Sequence, residues 1–214
     1  MIGELKLILC DIGNTSFHFL INNESKKYFM NEALPLFDEP IYYISVNLTA
    51  LARLKETNNT LIDVEKYLDF PTEYKGLGLD RKLACLNAKN EVIIDAGSCV
   101  KVDLMKDGKH QGGFILPGLK KLHDLYPTIS PVLNYDLNLK QDLDKIPLST
   151  QEAISYGILI AIILPIKDFA KNKQIVITGG DAQDLASFFP DCIYDEHLIF
   201  NNMKGLINAN NCIT

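Results

Sequence analysis

The chain has 214 residues, 47% of them hydrophobic and 22% charged, enough for one large or two small globular domains with no long part that composition leaves disordered. Its 21 basic and 27 acidic residues give a formal charge of -6, which argues against nucleic acid or an anionic membrane surface as the main partner. The cysteines Cys10, Cys85, Cys99, Cys192 and Cys212 form no CxxC pair, and His18, His110, His123 and His197 fall at no ligand spacing, so neither a disulfide framework nor zinc chemistry is signalled.

In chain order, the apolar run ending at Asp11 predicts a strand over 5–11, with Cys10 as a small core side chain. A second strand is expected over 16–22 and a short third over 42–46. A helix is expected over 48–57, a strand at "TLIDV", and a helix from about residue 78 in "GLDRKLACLNAK". The stretch "EVIIDAGSCVKVDLMKDGKHQGGFILPG" predicts three successive strands joined by tight turns, with Asp107-Gly108 the clearest hairpin turn. Residues 118–127 read as helix, 128–149 as irregular, and 150–164 as helix from a Thr150 cap with Glu152 in its first turn. A strand at "QIVITGG", a helix at "DAQDLASFF" and a short helix over 203–210 follow. The N-terminus lacks the pattern of a secretion signal, and "GILIAIILPI" at 157–166 is too short to span a bilayer and reads as a helix buried against a sheet. A cytoplasmic chain without a membrane partner is expected.

Two segments, "LILCDIGNTSFHFLIN" and "VIIDAGSCVKVDLMKD", share one plan: an apolar strand, Asp-x-Gly, small polar residues, then an alternating strand running into a polar turn. Asp11-Gly13 and Asp95-Gly97 have the same spacing, so the chain reads as a duplicated unit, residues 1–88 and 89–214, whose two similar α/β domains face each other across a cleft. A single Asp-x-Gly is a common turn between antiparallel strands; its recurrence at the head of equivalent strand pairs favours duplication.

The chemistry follows from residue types. Gly13 permits tight backbone geometry, so main-chain N–H groups, Asn14 and Thr15 can converge on anionic oxygens, and Asp11 can sit beside a phosphate if a hydrated Mg²⁺ lies between them. Asp95, Gly97 and Ser98 can face the same phosphates from the second unit, with Asp103 either on the cleft side or a solvated strand end. Asp80 beside Arg81 at a helix start can take a hydroxyl proton while the guanidinium grips an acidic substrate; the plainer reading is a helix-start carboxylate with a surface ion pair. Only Arg53 and Arg81 are arginines. Gly112, Gly113 and Gly118 suit close approach to a ligand or another strand, Thr150 suits a cap, and Gly179-Gly180 lets an adenine or ribose lie on main chain. Neither a dinucleotide fingerprint nor a P-loop is present.

Taken together and in order, "DIGNT", "GLDR", "DAGSCVKVD", "GGFILPG", "STQEAISYG" and "TGGDA", from residue 5 to about 185, resemble the type III pantothenate kinase family. The resemblance implies an acetate-kinase, Hsp70 and actin-like fold of two ribonuclease-H-like domains and a homodimer. It also implies transfer of the ATP γ-phosphoryl group to the primary hydroxyl of pantothenate, the first step of coenzyme A synthesis. It assigns Mg²⁺ and ATP phosphates to Asp11, Asn14 and Thr15, the general base to Asp80, and pantothenate contacts to Arg81, Gly78 and Tyr74. Asp95 would hold K⁺ or NH₄⁺, and Thr150 would reach a pantothenate site completed across the dimer.

The chain departs from the family pattern at Cys99 in place of alanine, Lys101 in place of threonine and Ser149 in place of asparagine, while Ser98 keeps a hydroxyl. Lys101 could supply part of the cation's charge or point to solvent. Another small-molecule kinase of the fold, such as a sugar or acetate kinase, would share the Asp-x-Gly hairpins without "GLDR" and "STQEAISYG". A non-catalytic regulator would not need Asp11, Asp80 and Arg81 together.

Overall fold

Both apolar runs that end in Asp-x-Gly form the central strand of a five-stranded sheet in the computed structural model, which describes residues 7–57 and 59–210. The first sheet contains β1 (Ile8–Ile12), β2 (Ser16–Ile21), β3 (Glu24–Phe29), β4 (Ile41–Ser45) and β5 (Leu61–Asp63), in the order β3-β2-β1-β4-β5. The second contains β6 (Val92–Ala96), β7 (Cys99–Lys106), β8 (Lys109–Pro117), β9 (Ile175–Thr178) and β10 (Ile193–Tyr194), in the order β10-β9-β6-β7-β8. Each central strand is antiparallel to the strand that follows it and parallel to its other neighbour. With β6 set against β1, the two sheets have one topology, as the repeat predicts. Asp11 and Asp95 occupy the same place in strands of identical burial pattern.

The matching hairpins turn by the same geometry. Asn22 (φ 49°) and Asn23 (φ 68°) close β2–β3, and Asp107 (φ 51°) and Gly108 (φ 72°) close β7–β8, left-handed pairs that match strand twist. The sequence reading misses β3, since "ESKKYF" is a mostly exposed edge strand whose Lys26 and Lys27 leave no apolar alternation to detect. It also misses the two-residue β10. Residues 5 and 6 of the first expected strand, and Cys212, lie outside the described residues.

The chain divides into two compact units. The first comprises the described residues of Met1–Pro71, Lys75–Asn87 and His197–Thr214; the second comprises Thr72–Tyr74 and Ala88–Glu196. The C-terminal helix α6 falls in the first unit. It begins at Leu198 instead of 203, running Leu198–Ala209. Its Phe200, Met203 and Ile207 bury with Leu9 and Leu20 of the sheet and with Leu79 and Leu83 of α2 (Leu79–Cys85). Buried Asn202 donates from Nδ2 to the Leu83 carbonyl at 2.7 Å and accepts from Asn87 at 2.6 Å, so α6 satisfies a carbonyl in the last turn of α2 and fixes that helix.

The other face of the first sheet buries Ile8, Cys10, Ile12, Phe17 and Phe19 with Ala50 and Leu54 of α1 (Leu48–Lys55). Burial pushes the Cys10 thiol well up, with the Asp11 carboxylate adding to the effect, consistent with a core side chain and not a nucleophile. Arg53 donates to the Met30 and Glu32 carbonyls and lies over the Phe17 ring, which makes it a structural arginine.

In the second unit, Val92, Ile94, Ala96, Val100 and Val102 pack on α4 (Thr150–Ala170) and α5 (Ala182–Ala186). The helix α3 (Leu119–Ile129) joins the same cluster through Leu119. At 21 residues α4 is longer than expected and has the length and hydropathy of a membrane span, yet Ile154, Ile158, Leu159, Ile162, Ile163 and Ile166 are buried in this core. It runs through Pro165, where the expected helix stops. Burial of Ile166 and Ala170 beyond the proline outweighs the lost backbone bond. Its N-cap is Ser149, not Thr150: the Ser149 hydroxyl accepts from Glu152 N at 3.3 Å, while the Glu152 carboxylate accepts from Leu148 N at 3.0 Å.

Candidate active site

In the first unit, alternation along β1 sends Ile8, Cys10 and Ile12 to the α1 side, so Asp11 shares the Leu9 face, where α2 and α6 pack. That face brings α2, with Asp80 and Arg81, to the Asp11 side of the sheet. Asp80 and Arg81 retain only 8% and 4% exposure, which overturns the surface ion-pair reading. The α2 N-cap is Gly78, and Arg81 N donates to Asp80 Oδ1 at 2.9 Å. A Cβ on Gly78 would stand 2.6 Å from that oxygen, so the glycine leaves room for the carboxylate to fold back over its own helix start.

The loops after the central strands use their glycines differently from expectation. Gly13 N donates to Ser16 O at 3.1 Å and Gly97 N to Cys99 O at 3.0 Å, so both amides close their own turns. Neither glycine has a positive φ, and a Cβ would meet nothing within 4 Å at Gly97 and only an ordinary contact at Gly13. The fold does not demand glycine at either place. Asn14, Thr15, Ser98 and Gly180 are exposed beside them.

Glycines farther along the second unit are the ones the fold requires. A Cβ on Gly118 would lie 2.0 Å from Gly97 O, and one on Gly179 (φ 100°) 2.3 Å from Ala96 O and 2.7 Å from Asp95 Oδ1. The segments after β8 and β9 therefore press directly on Asp95–Ser98. Lys101, directly opposite Asp95 across β6 and β7, places Nζ 2.6 Å from Asp95 Oδ2.

Asp103 shares the Asp95 face through its pairing with Ile93. It is 2% exposed and accepts from His110 Nε2 at 2.8 Å, so it is not a solvated strand end. Gly113, opposite Asp103, leaves space that a Cβ would fill at 1.9 Å from Val102 O. A bulge pairs Met105 with His110 instead of Gln111, turning the imidazole onto the Asp103 face. His110 Nδ1 meets Thr72 Oγ1 at 2.9 Å, Thr72 Oγ1 accepts from Tyr74 N at 3.1 Å, and the Tyr74 ring lies edge-on to His110. Sequence reading missed this chain, whose one signal is the glycine pair that makes the bulge possible.

Thr150 is exposed at the first turn of α4. Among the described residues no three His, Cys, Asp or Glu gather as metal ligands. A cavity of about 350 Å³ lined by Lys167, Lys171, Gln174 and Cys192 lies at the start of β9, the opposite strand end from Gly179, and none of the motif residues lines it.

Two sheets of one topology, each with an aspartate at the end of its central strand, define the two-domain fold of actin-like ATPases. A 2-dehydro-3-deoxygalactonokinase structure from Sinorhizobium meliloti shares that fold, with a TM-score of 0.61 at 9% identity over 95% of this chain and 96% of its own. The model of the type III pantothenate kinase family matches residues 45–172. Type III pantothenate kinases of Campylobacter jejuni and Helicobacter pylori are 42% and 37% identical over 95% and 92% of this chain and 98% and 89% of their own lengths. A Campylobacter jejuni structure, described as a conserved Baf family transcriptional activator, superposes with a TM-score of 0.87 at 40% identity, covering 97% of this chain and all of its own. This chain belongs to the type III pantothenate kinase family.

Proposed function

We propose that the protein transfers the γ-phosphoryl group of ATP to the primary hydroxyl of pantothenate, with Asp80 as general base and Arg81 on the pantothenate carboxylate. The observation that carries the assignment of roles is the buried Asp80-Arg81 pair on the Asp11 face of the first sheet. A carboxylate and a guanidinium withdrawn from solvent at a short helix start cost stability, a cost that suits recognition and proton transfer. Asp80 accepts the hydroxyl proton as the new P–O bond forms, while Arg81 fixes the substrate's acid group.

The loops at Gly13-Asn14-Thr15 and Gly97-Ser98 bind the phosphates. Glycines that the fold does not require, flanked by exposed Asn14, Thr15 and Ser98, suit a ligand that approaches the main chain. Exposed Gly180 belongs to the nucleotide side of the same machinery, and Gly179, kept for packing, sets the path of the chain into it. A strand-end carboxylate such as Asp11 suits a hydrated Mg²⁺, and the ion, when bound with ATP, offsets charge on the phosphoryl oxygens. Asp95 does not suit a second, monovalent cation, because the Lys101 ammonium already holds one of its oxygens. Tyr74, held through Thr72 and His110, lines the pantothenate site.

The protein acts as a homodimer in which Thr150 contributes to the pantothenate site. Ile129, Val132, Ile146 and Leu148, at 73%, 74%, 85% and 93% exposure, leave the segment between the end of α3 and the start of α4, which runs into Thr150, rich in exposed apolar side chains. Leu148→Asp is expected to shift sedimentation from dimer to monomer; an unchanged dimer would move the interface elsewhere.

The reaction is tested by ADP release with pantothenate, acetate and hexoses in turn. Turnover with pantothenate alone supports the reading. Turnover with a sugar or acetate, or with none of them, contradicts it.

A further inference from the structure

We infer that Lys101 is a built-in monovalent cation for Asp95, so that the enzyme works without K⁺ or NH₄⁺. The inference rests on the phosphoryl-transfer reading above. Asp95 stands at the end of β6 beside the Gly97-Ser98 loop, where its negative charge opposes phosphate binding unless a cation offsets it.

Lys101 provides that cation from within the chain. It pairs directly with Asp95 in the ladder, and its Nζ lies 2.6 Å from Oδ2, a charge-assisted hydrogen bond with side-chain exposures of only 23% and 13%. The other oxygen faces Gly179, whose missing Cβ would stand 2.7 Å from Oδ1. One oxygen is thus held by an ammonium and the other is backed by main chain. A free cation would have to share this single carboxylate with a like charge.

A tethered ammonium also has the advantage of proximity. It is present at a high effective concentration whatever the salt, and its N–H donors resemble those of free NH₄⁺. The equivalent residue in the first unit differs. His18, opposite Asp11, engages Ser25 through Nε2 and packs its ring on Phe200. The Asp–Lys arrangement is therefore specific to the second sheet, not a by-product of the repeated topology.

The test compares the parent chain with Lys101→Thr in buffers whose only cations besides Mg²⁺ are choline, K⁺ or NH₄⁺ at equal ionic strength. The parent should turn over equally in all three. Lys101→Thr should lose at least about tenfold in choline and recover in K⁺ or NH₄⁺. A parent stimulated about tenfold by K⁺, or a variant indifferent to the cation, would overturn the inference. Thermal melting with Mg-ATP provides an arm independent of turnover: K⁺ should raise the Tm of folded Lys101→Thr above its value in choline and leave the parent unmoved. A K⁺-specific rise in the parent, or none in the variant, counts against Lys101. If the parent is inactive with pantothenate in every buffer, the pantothenate reading fails while the melting arm still decides the cation question.

Discussion

Asp80→Asn is expected to lower turnover by about 10³-fold while leaving ATP affinity within about twofold of the parent. The substitution keeps the shape of the side chain. The Asn oxygen can still accept from Arg81 N, as Asp80 Oδ1 does at 2.9 Å, and the space left by Gly78 is unchanged. What the amide loses is the ability to take a proton from the acceptor alcohol, so the loss should appear in kcat and not in nucleotide binding. ADP release measured beside an ATP titration separates the two. Unchanged turnover would remove Asp80 from the chemistry.

Gly179→Ala should cost about 4 kcal/mol of stability, because it adds backbone strain to a steric clash. Gly179 has φ 100°, where an L side chain is disfavoured, and the new Cβ would lie 2.3 Å from Ala96 O and 2.7 Å from Asp95 Oδ1. Both atoms belong to the end of the central strand, so relief would require moving the strand end itself. Thermal melting should show a fall of about 10 °C. Gly97→Ala is the control: its Cβ meets nothing within 4 Å, so it should melt within about 2 °C of the parent. Its effect should instead be weaker ATP binding. Equal melting losses at both positions would refute the distinction between a glycine kept for packing and one kept for ligand approach.

These two glycines also show what was legible in the sequence. The Asp-x-Gly repeat predicted two sheets of one topology because a buried central strand is written as an uninterrupted apolar run, and "LILCDI" and "VIIDA" are such runs. The roles of the glycines were not legible. A turn glycine and a clearance glycine are the same letter, and only the approach of Gly179 to Ala96, set by the β6–β9 pairing, distinguishes them. Likewise, His110 is a scattered histidine in the sequence, and only the bulge at Leu104/Met105 turns it toward Asp103. The face a strand residue presents depends on register, and register depends on a partner strand.

Local signals were reliable where local chemistry decides. The Asp107-Gly108 turn is legible because two left-handed residues in sequence leave few alternatives. The start of α6 at Leu198 is not legible in the sequence, because its apolar residues are fixed by Leu9, Leu20 and Leu83, far away in the chain. Burial of Asp80 and Arg81 had no sequence signal at all, since charged residues at a helix start are usually solvated.

The most direct measurement is the mass and phosphorus position of pantothenate after incubation with Mg-ATP and the protein. A product heavier by one phosphoryl group, carried on the primary hydroxyl and absent with Asp80→Asn, is the result expected. Pantothenate recovered unmodified while ATP is hydrolysed, or phosphorylated equally well by the variant, would contradict the account.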